Sequence, residues 1–134
     1  MLDRAGRSEL HYCALSGTAA KAISLLEEGQ DPNLQDTNGF APLHFAAQEG
    51  NLEVATVLLN HGALIDVVDH NGNTPLLVAV GNARAQGTGQ LIRLLRSSGA
   101  DPYKANRAGN TPVGIARMIE NYDVAQYIWG DFRQ

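Results

Sequence analysis

The stretch Gly39-Phe40-Ala41-Pro42-Leu43-His44-Phe45-Ala46-Ala47 decides the reading of this chain, because it returns twice downstream in altered form. It comes back as Gly72-Asn73-Thr74-Pro75-Leu76-Leu77-Val78-Ala79-Val80, and again as Gly109-Asn110-Thr111-Pro112-Val113-Gly114-Ile115-Ala116. Gly6, Gly39 and Gly72 are 33 residues apart, and each follows an aspartate by three positions: Asp3, Asp36 and Asp69. Gly109 lies 37 residues further on, with Asn106 in the aspartate's place. Gly29, Gly62 and Gly99 mark the unit ends. Self-similarity at such a period signals an array of small supersecondary units.

The physics of one unit supports an array. Thr74-Pro75 and Thr111-Pro112 each pair a helix N-cap with a proline at the first helical position, where no useful N–H is lost. A short helix is expected from about Pro42 to Gln48, ended by Gly50 in the left-handed conformation. A second is expected from about Leu52 to Asn60, with Leu52, Ala55, Leu58 and Leu59 on one face. His61-Gly62 closes it, and the chain continues to the Asp69-His70-Asn71-Gly72 turn. Asn-Gly at that tip suits the positive φ values of a tight hairpin. Such a unit cannot bury its apolar face alone, so the units must stack.

A 33-residue period with this Thr-Pro-Leu-His-x-Ala core resembles the ankyrin repeat. The resemblance runs from Asp3 to about Trp129 as four units, at about 3–35, 36–68, 69–105 and 106–130. It implies an all-α solenoid of helix-turn-helix repeats with short β-turn or hairpin fingers. The end units are more polar, as caps should be. Lys21 stands where Val54 and Leu91 stand, and Glu9 replaces the proline. Glu120 replaces an inter-helix glycine, and Arg117 and Met118 follow Ala116. The chain therefore reads as one complete domain. Tyr127 and Trp129 are expected to cover the last core layer, a contact patch or dimer seam being the alternative.

Composition sets the outer limits. At 134 residues, roughly two-thirds of the unfolded chain's surface can be buried in one domain. Ten basic against 14 acidic residues give a net charge of -4, which lacks the basic footprint of a nucleic-acid binder. The lone Cys13 excludes an internal disulfide and a multi-cysteine zinc site, and points to a reducing compartment. Met1-Leu2-Asp3-Arg4 places charges where a signal peptide needs apolar residues. The longest apolar run, Leu76 to Val80, is far below the ~20 residues of a membrane span. The expectation is a cytoplasmic protein, monomeric when free, with no membrane partner.

Several residues invite a catalytic reading. His11 and His44 hold the fourth position of the tetrapeptide, where the resemblance implies a histidine that bonds backbone and ties repeats together. Units three and four carry Leu77 and Gly114 there, which a repeat tolerates and a metal site does not. No carboxylate or histidine cluster has ligand spacing. Cys13 aligns with Ala46 and Ala79 and reads as a small core residue; its nearness to His11 is the only hint of a Cys–His pair. The three finger aspartates read as turn formers. Gly87-Thr88-Gly89 lacks the lysine and preceding strand of a phosphate loop. No enzyme, metal or cofactor is expected.

What remains is protein binding. The resemblance places partner contacts on the turn tips and on the exposed side of each first helix, which form a concave face. The matching positions are Arg4 and Arg7 in the first unit, then Thr37, Asn38, Phe40, Gln48 and Glu49 in the second. The third offers His70, Asn71, Asn73, Asn82 and, in its four-residue insertion, Arg84; the fourth offers Arg107 and Asn110. Phe40 is expected as an exposed aromatic anchor, or else folded against a neighbouring turn. The insertion, within Gly81 to Gln90 and the helix after it, is either a binding loop or an ornament.

Residues 1 to 70 carry ten acids and three bases, a net of -7, against four acids and seven bases, a net of +3, in the rest. A partner with a basic region is steered toward the first half. A short four-repeat chain with its own caps resembles the ankyrin-type immunity proteins that bacteria encode beside a toxin. That resemblance implies neutralisation of a basic toxin or effector domain, such as a nuclease. An adaptor joining larger proteins is the alternative, with an enzyme using Cys13 or His44 as the least favoured.

Overall fold

A computed structural model describes residues 2–82 and 88–118. They form α1 (Glu9–Ser16), α2 (Ala19–Glu27), α3 (Pro42–Glu49), α4 (Leu52–Asn60), α5 (Pro75–Gly81), α6 (Thr88–Ser97) and α7 (Pro112–Met118). Two rows result. The first helices, α1, α3, α5 and α7, pack in sequence along one side, while α2, α4 and α6 pack along the other. The array is all-helical, and no strand occurs among the described residues.

Equivalent residues stack into columns. Leu10, Leu43 and Leu76 are fully buried, with Val113 next in line. Cys13, Ala46, Ala79 and Ala116 form a second column whose small side chains let the first helices approach closely. Leu25, Leu58 and Leu95 do the same for the outer row. Each layer is covered by the next, so burial is continuous and non-local contacts reduce to nearest neighbours. At the first end the column position of Val54 is taken by Lys21, whose ammonium pairs with Glu9 at 3.1 Å on the surface. Glu120, Tyr127 and Trp129 lie outside the described residues, as does Arg84 of the insertion.

The fingers depart from a two-residue hairpin. Among the described residues none other than glycine has positive φ, so Asn71 does not adopt the left-handed conformation that an Asn-Gly type I′ turn requires. Gly72 N–H instead donates to Asp69 C=O at 3.0 Å, and Asp69 N–H donates to Asn73 C=O at 3.1 Å. This is a three-residue loop with the left-handed glycine last. Asp69 Oδ1 accepts from the N–H groups of Asn71 and Asn73, at 2.8 and 2.9 Å. Asp36 repeats the pattern on Asn38 and Phe40.

Neighbouring fingers are tied by main-chain bonds in one repeating register. Thr37, His70 and Arg107 N–H donate to the carbonyls of Ala5, Asn38 and Asn71, at 2.8, 3.1 and 2.9 Å. That closeness makes Gly39 indispensable: its φ is +84°, and a Cβ there would meet His70 N at 2.7 Å. Gly50 closes α3 at φ 71°, as the sequence suggested.

Thr74 caps α5, its Oγ1 accepting from Leu77 N–H at 3.2 Å. At α3 the N-cap is Ala41, which has no oxygen to offer, though its φ and ψ (-85°, 162°) match those of Thr74 (-84°, 163°). Both residues are fully buried at the same position of their repeats. Ala41→Thr therefore stabilises the domain by about 1 kcal/mol, read as a higher urea midpoint.

Candidate functional site

The two tetrapeptide histidines are structural. His44 Nδ1 accepts the Ala41 N–H at 3.0 Å, which puts the ring proton on Nε2, where it donates to Asn73 C=O at 2.7 Å. His11 does the same between Ser8 N–H at 3.0 Å and Phe40 C=O at 2.8 Å. Each ring closes its own helix start and fastens the next repeat. At the following junction Leu77 stands in this slot, and Asn106 Nδ2 donates to Asn73 Oδ1 at 2.8 Å.

Burial pushes both imidazoles below the usual histidine range, against the opposing pull of the carbonyls and aspartates around them. The folded state thus keeps them neutral while the unfolded chain takes up protons below about pH 6.5. Stability is fully present above that pH and is lost as pH falls from it toward the depressed native values. The slope reaches at most about 1.4 kcal/mol per pH unit for each histidine. Urea midpoints between pH 7.5 and 5.5 check this, and the fall is smaller in a variant lacking one of the rings.

With both His11 nitrogens engaged, the ring cannot serve Cys13 as a base. The Cys13 thiol is 3% exposed, and burial pushes it up, away from the thiolate. It borders a surface cleft of 490 Å³ lined by Glu9, Tyr12, Leu15, Ser16, Thr18 and Lys21. No group of His, Cys, Asp or Glu suited to hold a metal occurs among the described residues.

Between the second and third repeats the structure gathers Phe40, Gln48, Asn71, Asn73 and Asn82 around a groove of 320 Å³. Its floor is completed by Leu77, Val78 and Gly81, with Asp69 at the finger base. Gln48, Asn71 and Asn82 are exposed and Asn73 is half-buried. Glu49 is also exposed, and its carboxylate accepts from the Gln48 amide at 3.0 Å. Arg4, Asn38, His70, Arg107 and Asn110 are exposed on the fingers and do not line the groove. Thr37 is exposed at a finger tip, its N–H committed to the finger register.

Two expectations change. Arg7 is not a free surface contact: its Nε donates to the buried Asp36 carboxylate at 3.2 Å, and its guanidinium lies 4.8 Å from the Phe45 ring centroid. Burying an aspartate beside a half-covered arginine is favourable only when the two are paired, so Arg7 is held where Asp36 needs it. Phe40 is half-buried, not a free-standing anchor. Its ring packs edge-on to His44 and tilted to Phe45, with centroids at 5.8 and 5.4 Å, and its remaining surface faces the groove.

Sequence reasoning missed Asp69, Leu77, Val78 and Gly81 as lining residues. A signal existed for Gly81, a glycine in the last turn of a helix where the preceding repeat has Gln48. None existed for the others, whose residue types are those of ordinary turn and core positions.

The described residues contain no helix long and apolar enough to cross a membrane. Comparison with curated proteins gives no match. A family model of ankyrin repeats in three copies matches residues 10–106, well over half of the chain. Stacked helix pairs, bridging histidines and glycine-hinged fingers agree with that match, and the protein belongs to the ankyrin repeat family, whose repeats are protein–protein interaction modules.

Proposed function

We propose that the chain is a non-enzymatic inhibitor or immunity-type protein that binds a cognate protein toxin or effector through its finger tips and concave groove. The observation that carries the binding reading is the groove between the second and third repeats. It has an apolar floor and a rim of uncharged amides, the composition of a recognition surface with a few orienting polar groups. The acidic first half of the chain favours a basic target and speeds its approach. The candidate contacts are Arg4, Asn38, Phe40, Gln48, Glu49, His70, Asn71, Asn73, Asn82, Arg107 and Asn110, with Arg84 from outside the described residues. The setting is cytoplasmic, and the free protein is a monomer.

Capture from the native host identifies the partner, and plugging the groove then tests the face. Gln48→Arg with Asn82→Arg places two bulky like charges at exposed positions. The expected result is a loss of affinity of about 100-fold or more at an unchanged unfolding midpoint, measured by calorimetry. Unchanged affinity rules the groove out as the docking face. An adaptor joining two proteins is the second reading, favoured by the separate cleft on the first repeat; it requires two partners bound at once.

A further inference from the structure

The first junction of the array uses an arginine that the second junction does not possess. There, the Arg7 guanidinium bonds the finger aspartate Asp36 at 3.2 Å and lies over an aromatic ring, Phe45, at 4.8 Å. One period on, the finger aspartate is Asp69, and Phe40 stands where Arg7 stood. Asp69 and Phe40 both line the 320 Å³ groove, and no lysine or arginine among the described residues lines it with them. The Asp69 Oδ2 takes a neutral amide, Asn73 Nδ2, at 3.1 Å where Asp36 takes a cation.

Gly81 widens this space. It ends α5 in helical conformation, and among the described residues nothing lies within 4 Å of a Cβ built on it. Glycine is the poorest helix former after proline, so neither local propensity nor packing among the described residues accounts for it. What its missing side chain leaves is room over the groove floor. The Glu49 carboxylate stands beside the rim residue Gln48, within the half of the chain whose net charge is -7.

We infer that the groove receives an arginine side chain of the protein partner, an inference that rests on the protein-binding reading above. The guanidinium stacks on Phe40 and donates to the side-chain carbonyls of the exposed Asn71 and Asn82, while the buried Asp69 carboxylate, already bonded to Asn71 and Asn73, attracts it as a charge from beneath the groove. Its stem lies over Leu77, Val78 and Gly81. Arginine fits better than lysine because a flat fork can stack on a ring and serve two acceptors together.

The test is a titration of 15N-labelled protein with the tripeptide acetyl-Gly-Arg-Gly-amide, followed by amide chemical shifts. The same peptide with citrulline keeps the shape without the charge, and one with glutamate inverts the charge. Saturable shifts at Gly81 and at the Asn71 and Asn82 side chains are expected with arginine. They are at least fivefold weaker with citrulline and absent with glutamate. Gly81→Leu fills the groove while raising helix propensity, and it abolishes the response in a protein that still folds. An equal response to citrulline, no response to arginine, or a response that survives Gly81→Leu overturns the inference. A partner protein that binds while the groove stays silent overturns it too, and leaves the interaction-module reading standing.

Discussion

Replacing His44 by leucine lowers the stability of the domain by about 3 kcal/mol or more, because two buried main-chain groups lose their partner at once. The Ala41 N–H and the Asn73 C=O are both bonded to this one fully enclosed ring, at 3.0 and 2.7 Å. Leucine matches the ring's bulk and supplies neither an acceptor nor a donor. Against a total stability of about 5–15 kcal/mol, the loss is a large fraction. Urea unfolding is the measurement, with a lower midpoint at unchanged slope expected. A near-neutral result would mean that the imidazole is not the fastener between the second and third repeats.

Gly39→Ala is the second large effect, at about 3 kcal/mol. Part of it is the left-handed backbone at φ +84°, which costs a residue with a Cβ about 1–2 kcal/mol. The rest is collision, since that Cβ would lie 2.6 Å from His70 Cδ2 and 2.7 Å from His70 N. The ring can swing away, but the nitrogen belongs to the adjacent finger and is fixed by its bond to Asn38 C=O. Gly62→Ala separates the two causes, because Gly62 has φ +95° and nothing within 4 Å. Its loss is confined to the backbone contribution, about 1–2 kcal/mol. Equal losses at the two glycines would show that the fingers move apart without cost.

The fold was legible in the sequence because each repeat spells the same local instructions. Pro42, Pro75 and Pro112 begin the first helices, Gly17 and Gly50 stop two of them, and the Leu10–Leu43–Leu76 spacing states which face is buried. The histidines were legible for the same reason. The conformation of the finger was not, since Asn71-Gly72 suits two turn types and the bonds from Asp69 Oδ1 select between them. Arg7 and Phe40 share one repeat position and face the same side. Only the neighbouring repeat shows that one is consumed by Asp36 while the other turns its free surface to a groove. The groove itself is a relation between repeats, built from Asp69, Leu77 and Val78, which are unremarked within their own unit.

Leu77 in the histidine slot leaves the array unevenly fastened. Among the described residues the first two junctions carry an imidazole clasp, whereas the third has in its place an amide-to-amide bond beside a finger bond and the Val113 N–H to Pro102 C=O bond. Under tension applied along its long axis, such a rod meets no imidazole to strain between α5 and α7, whereas at each earlier seam a ring must let go of a carbonyl before the layers part.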